Sequence, residues 1–175
     1  HVGGVVLSHE GEKVKNLFRL LSNEIDLRKS RLAEVGVSSF ASYKEAGYRD
    51  LPQIVVVIDN LTALKELYLQ DNDMLLPVCR DGNSVGISFL VANGQTAGVG
   101  YRYLNNFEGR IALFCNESSE YTMLFEGNRT KLPNVPGRAL VQIDKATYEC
   151  QMYLAFDGDK EYERVHEYSK ICNIL

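Results

Sequence analysis

The chain has 175 residues, 45% of them apolar and 24% charged, with a formal net charge of −4. That length and composition suit one soluble globular domain with a substantial core. The acidic balance argues against a strongly electrostatic nucleic-acid binder, and no run approaches the roughly 20 apolar residues that a membrane span requires.

The chain opens at His1 without a methionine and enters a strand-like stretch, Val2 to Leu7. It therefore reads as a piece of something longer, with sequence missing on the amino-terminal side. Glu10 to Glu34 predicts one long helix, because Val14, Leu17, Phe18, Leu21, Ile25 and Leu32 recur at three- and four-residue spacing. Glu24 and Arg28 read as an i,i+4 pair on its other side. Ser39 is a candidate N-cap for a short helix through Ala46, with Gly47 as its stop. Ile54 to Ile58 is a continuous apolar run ending in Asp59 and Asn60, the pattern of a central parallel strand buried on both faces. Helical patterns follow at Leu61 to Leu67 and Asp73 to Arg80, then a second buried strand at Val85 to Ala92. A loop with Gly94, Gly98 and Gly100 precedes a strand at Arg110 to Cys115 and a helix at Ser118 to Glu126, closed by Gly127. Ala139 to Ile143 and Thr147 to Tyr153 predict a hairpin around Asp144-Lys145-Ala146, and Asp159 to Lys170 a polar helix. Strands alternating with helices predict an α/β fold, a mostly parallel sheet with helices on both faces and an antiparallel edge.

Cys79, Cys115, Cys150 and Cys172 form no C-x-x-C pair and read as reduced thiols. His1, His9 and His166 give no metal-ligand spacing. The sequons at Asn60, Asn116 and Asn128 read as chance, because Asn60 would lie against a buried strand end.

Asp59 carries the chemical interest. Open α/β sheets bind ligands at the carboxyl ends of their strands. In a nucleotide-hydrolysing motor an acid at that place holds Mg²⁺ through water, and the next residue, a glutamate, activates the attacking water. Here the first acid is present and the second is an amide. The plainer alternative is that Asp59 or Asn60 caps the following helix. The phosphate loop G-x-x-x-x-G-K-[ST] occurs nowhere, and the chain has no Gly-Lys dipeptide.

Four segments occur in a telling order: LPQIVVVIDN, GNSVGISFLVANG, RIALFCNESSEY and VPGRALVQI. They resemble the motor domain of the FtsK/SpoIIIE family. HVGGVV, EVGVSSFASYKEAG and PGRALVQIDKATYECQMYLAF resemble the EssC/EccC ATPases of type VII secretion. The resemblance covers nearly the whole chain. It implies a RecA-like P-loop NTPase fold, with residues 1–175 as a single ATPase domain lacking its amino-terminal phosphate-loop strand and helix. It also implies a multi-module motor on the cytoplasmic face of the cell membrane, working as a hexamer. Neighbouring ATPase modules, other secretion components and small helical secreted substrates would be its partners.

Carried over residue by residue, Asp59 matches the acid that holds Mg²⁺ of Mg–ATP. Asn60 stands where the catalytic glutamate belongs, and an amide cannot act as a base. Asn83 stands where an arginine belongs that would contact a neighbour's nucleotide. Asn93 and Gly94 occupy the Thr-Gln of a tip that senses the γ-phosphate, and Gln95 could substitute only if the loop shifted by one. Arg110 and Arg138 match family arginines, and each could equally be a strand-end charge in solvent. Loss of a general base costs roughly 10²–10⁴ in rate, and loss of an arginine finger about 10³–10⁵. These departures predict a degenerate module with a structural, regulatory or substrate-docking role and little or no hydrolysis. The alternatives are an active translocase moving protein or, less readily for so acidic a chain, DNA, and a stand-alone α/β binding domain.

Overall fold

The computed structural model describes residues 3–70, 72–128 and 130–172. His1, Val2 and the side chain of Cys172, all considered above, lie outside the described residues. The chain divides into two compact units, His1–Phe107 and Glu108–Leu175.

In the first unit α1 spans Gly11–Glu34, α2 Phe40–Glu45, β1 Ile54–Asp59, α3 Leu61–Tyr68, α4 Leu75–Gly82, β2 Ile87–Ala92 and α5 Tyr101–Leu104, with a 3₁₀ turn at Asn83–Val85. The expected strand at the amino end does not form between Gly3 and Leu7. The chain instead makes a turn into α1. Glu10 N donates to Leu7 O at 2.9 Å, and the Glu10 carboxylate accepts from Leu7 N at 2.9 Å. Among the described residues no strand pairs with this stretch, and apolar character alone does not make a strand.

The α1 stripe is buried at Val14, Phe18, Leu21, Ile25 and Leu32, as its spacing predicts. Arg28 belongs to that stripe and not to the outer side: it is 1% exposed. Its Nε donates to Glu24 Oε1 at 2.7 Å, its Nη1 donates to Val85 O at 3.1 Å, and the guanidinium lies 6.0 Å from the Phe40 ring centroid. The buried charge is thus paired, hydrogen-bonded and stacked, which is what burial of a charge demands. Ser39 caps α2 through Ser42 N at 3.1 Å. Gly47, at φ 94°, ends that stretch with the left-handed turn that favours glycine.

β1 and β2 pair in parallel, Ile54 opposite Ile87 through Asp59 opposite Ala92. Ile58 and Ile87 are buried, whereas Val55, Val57 and Leu90 are about 60% exposed (60%, 66% and 59%). The run expected to be buried on both faces is therefore covered on one face by the described residues of this unit. Its apolar composition on both faces still fits a strand designed for two layers.

In the second unit β3 spans Arg110–Leu113, α6 Ser118–Leu124, β4 Arg138–Ile143, β5 Ala146–Gln151 and α7 Glu161–Cys172. The strands form an antiparallel sheet in the order β3-β4-β5. Ala112 and Leu140 of its covered face pack with Tyr121, Phe125 and Leu132. The Tyr121 hydroxyl accepts from Cys115 N at 2.7 Å and donates to Leu113 O at 3.2 Å, fixing α6 to the end of β3. The hairpin turn is two residues, not three. Asp144 and Lys145 have φ of 49° and 66°, and Ala146 already pairs with Ile143. Two consecutive positive φ angles match the twist of the flanking strands. α7 leaves Tyr162, Val165, Tyr168 and Ile171 exposed.

Candidate functional site

The parallel pair delivers its carboxyl ends together. Asp59 is the last residue of β1, opposite Ala92, and Asn60 N donates to Ala92 O at 2.9 Å. Asp59 is exposed there. Asn60 turns the chain into α3 with φ 63° and ψ 72°, and its Oδ1 accepts from Ala63 N at 3.0 Å. Asparagine tolerates this left-handed conformation better than most side chains and is also a preferred cap. The capping reading of Asn60 is therefore realised in the structure.

Asn93 follows β2 and meets the same helix. Its Oδ1 accepts from Thr62 N at 3.0 Å, and its Nδ2 donates to Thr62 Oγ1 at 2.9 Å and to Gln95 O. The two asparagines thus occupy two consecutive amides at the α3 amino end. Those amides are the donors that would otherwise be open to an anion. Gly94 and Gln95 follow on the exposed rim.

The remaining expected residues stand elsewhere. Asn83 is exposed in the 3₁₀ turn before β2. It lies at the opposite end of the strand pair from Asp59, roughly 17 Å away along a strand of this length. Arg110 and Arg138 belong to the second unit. Arg110 Nη1 donates to Leu124 O at 2.6 Å, securing the end of α6. Arg138 Nε lies 3.5 Å from Glu149 Oε1, across the β4–β5 pair.

Two groups that the sequence reading passed over complete the tip. Lys65 Nζ, on α3, donates to Gly98 O at 2.7 Å and Val99 O at 3.0 Å, and lies 5.1 Å from the Tyr103 ring centroid. The Tyr103 hydroxyl donates to Asp73 Oδ1 at 2.5 Å. Burial, and then the Asp73 carboxylate, push the Tyr103 phenol well above its ordinary range. Burial and Asp73 likewise raise the Cys79 thiol to about 12, so it is a protonated packing group and not a nucleophile. The one hint in the sequence was spacing: Thr62 and Lys65 lie three apart, on one side of a short helix.

Comparison with known proteins gives this arrangement a context. No protein-family model matches the chain. The ESX secretion system protein EccC of Geobacillus thermodenitrificans is 30% identical over 152 residues, which cover 87% of this chain and 10% of that protein. The ESX secretion system protein YukB of Bacillus subtilis is 26% identical over 167 residues, 95% of this chain and 11% of that protein. The structure of EssC ATPases 2 and 3 from Geobacillus thermodenitrificans superposes with a TM-score of 0.80 at 29% identity, over 91% of this chain and 30% of that one. The homologues of this chain are EssC/EccC type VII secretion ATPase domains. The chain spans about a tenth of the curated relatives it matches.

The fold extends to more distant P-loop ATPases. The pCW3 conjugation coupling protein TcpA, solved with ATPγS, aligns with a TM-score of 0.70 at 22% identity, over 93% of this chain and 49% of that one. Thermomonospora curvata EccC ATPases 2 and 3, in complex with a signal sequence peptide, align with a TM-score of 0.75 at 17% identity, over 99% of this chain and 32% of that one. The EssC/EccC likeness agrees with the expected α/β fold. Among the described residues, no helix is long and apolar enough to cross a membrane.

Proposed function

We propose that this chain is a hydrolytically silent ATPase module of a type VII secretion motor. One observation carries the reading: Asn60, which the family resemblance assigns to the position of the catalytic base, is an amide committed by its backbone and its side chain to capping α3. It has no proton-accepting group to offer an attacking water. Asp59 fits a Mg²⁺ held through water, since it is an exposed oxygen donor at a strand end, and hard cations take such ligands. Mg–ATP, where bound, would supply a charged ligand that tightens the module without being turned over. A phosphate loop would have to come from sequence outside these residues.

The module's work is then mechanical and regulatory. Tandem ATPases in the EssC relative support contact with neighbouring modules, and the peptide bound to the EccC relative supports docking of secreted substrates. In this reading the module works within a hexameric assembly at the cytoplasmic face of the membrane, with other secretion components around it.

The test is ATP turnover by the full-length motor. Asp59→Ala is expected to leave the rate unchanged within twofold, because this module contributes none of it. A fall of a hundredfold or more on that substitution would overturn the silent-module reading in favour of an active translocase.

A further inference from the structure

The loop from Asn93 to Gly100 is tied to α3 at both ends. At its start Asn93 holds Thr62 through the two bonds given above, one to the backbone and one to the hydroxyl. At its far end Lys65, almost one turn further along α3, donates to two successive carbonyls, Gly98 O and Val99 O. Between these ties the loop presses against the helix. A Cβ on Gly98 would lie 2.7 Å from Thr62 Oγ1 and Cγ2, and Gly98 has φ of 107°. Only glycine satisfies that approach and that backbone together. Thr96 and Val99 are buried beneath the loop surface, and Val99 N donates to Thr96 O at 3.1 Å. Tyr103, under the Lys65 ammonium, extends the connection to Asp73 at the start of α4.

A loop that reports the terminal phosphate of a bound nucleotide needs two accessible states. The bonds from Asn93 to Thr62 and from Lys65 to Gly98 and Val99 all join the loop to one helix, and none of them needs a ligand. We propose that Thr62 and Lys65 form a latch that holds loop 93–100 in a single conformation whether or not nucleotide occupies the crevice. The β2 tip and α3 then move as one body, and the loop cannot report phosphate occupancy. The consequence for signalling rests on the silent-module reading, whereas the latch itself stands on the bonds within the first unit.

Hydrogen–deuterium exchange on the full-length protein tests it, read on the peptide that contains the Val99 amide. In the unsubstituted protein that peptide is expected to exchange slowly and equally, within twofold, with and without Mg–ATP. Lys65→Met is expected to speed its exchange at least tenfold while peptides of α1 keep their rates. Should Lys65→Met loosen the whole unit, Thr62→Ala and Asn93→Ala, singly and together, provide the second route. Thr62→Ala removes only the hydroxyl bond, which Asn93→Ala removes as well, so the double variant should exchange no faster than Asn93→Ala alone. Unchanged loop exchange in Lys65→Met, additive effects in the pair, or a several-fold slowing by Mg–ATP in the unsubstituted protein would each overturn the latch. Binding of a fluorescent ATP analogue is measured in parallel. A failure to bind removes the nucleotide pocket while leaving the substitutions to judge the latch.

Discussion

At the amino end of the β1–β2 pair Arg28 and Tyr43 are buried and link several elements. At its carboxyl end Asp59 and Asn60 are exposed, and Asn60 and Asn93 serve one helix. Arg28 joins α1, the turn before β2 and the Phe40 ring, and the Tyr43 hydroxyl donates to Asp50 Oδ1 at 2.7 Å just before β1. Asp59, Asn60 and Asn93 reach no further than α3 and its loop. The amino end is therefore where polar side chains hold the fold together, and the carboxyl end is where they set local geometry. Arg28→Ala should show the largest effect. It strips the partner from Glu24 and from Val85 O. Breaking a buried charge pair costs about 3–5 kcal/mol, and the lower end applies because the Glu24 side chain keeps 29% exposure. Urea unfolding should show a lower midpoint at an unchanged slope. A loss below about 1 kcal/mol would erase the distinction between the ends.

The carboxyl end should yield less, and with a particular signature. Asn60→Ala removes a cap, about 1 kcal/mol, and places a poorly suited residue in the left-handed region, roughly 1–2 kcal/mol. Asn60→Gly loses the cap oxygen but accepts the backbone, so it should be the milder of the two. Asn60→Glu, the change that restores the acid expected of a base, should destabilise like alanine. The same unfolding measurement ranks the three. Glycine proving worse than alanine would mean that the backbone at Asn60 is not what selects the residue.

Much of this was legible in the sequence, and the misreadings have physical causes. The α1 stripe, the Ser39 cap, the Gly47 stop and the hairpin are local patterns, and local rules suffice for them. Arg28 was misplaced because charge overrode position: it sits seven residues after Leu21 and four before Leu32, on the apolar stripe. The stretch ending at Leu7 was misread because strand propensity says nothing about whether a partner exists. At the site, Asn60 as a cap could be read from its place before a helix. The Asn93–Thr62 pair could not, since its members lie 31 residues apart and meet only because β1 and β2 are parallel neighbours. Lys65 was hidden by its partners, which are backbone carbonyls and carry no residue signature.

The smallest effect should be one of pH, and it belongs to the amino end. The Tyr43 hydroxyl, with Arg31 contributing, holds the Asp50 carboxyl below its ordinary range. A carboxylate whose folded value is depressed adds stability that is complete above its unfolded value, about pH 4. That stability is lost as pH falls through the folded value. Tyr43 has the opposite dependence. Burial first, then Asp50, raise its phenol, so its contribution is complete below about pH 10 and is lost as pH rises through the folded value. Asp50→Asn should flatten the acid limb of a stability–pH curve, and Tyr43→Phe should flatten both limbs. If Asp50→Asn left the acid limb intact while Tyr43→Phe removed it, the hydroxyl would be acting through some carboxylate other than Asp50. The polar framework at the base of β1 would then extend beyond the contacts described.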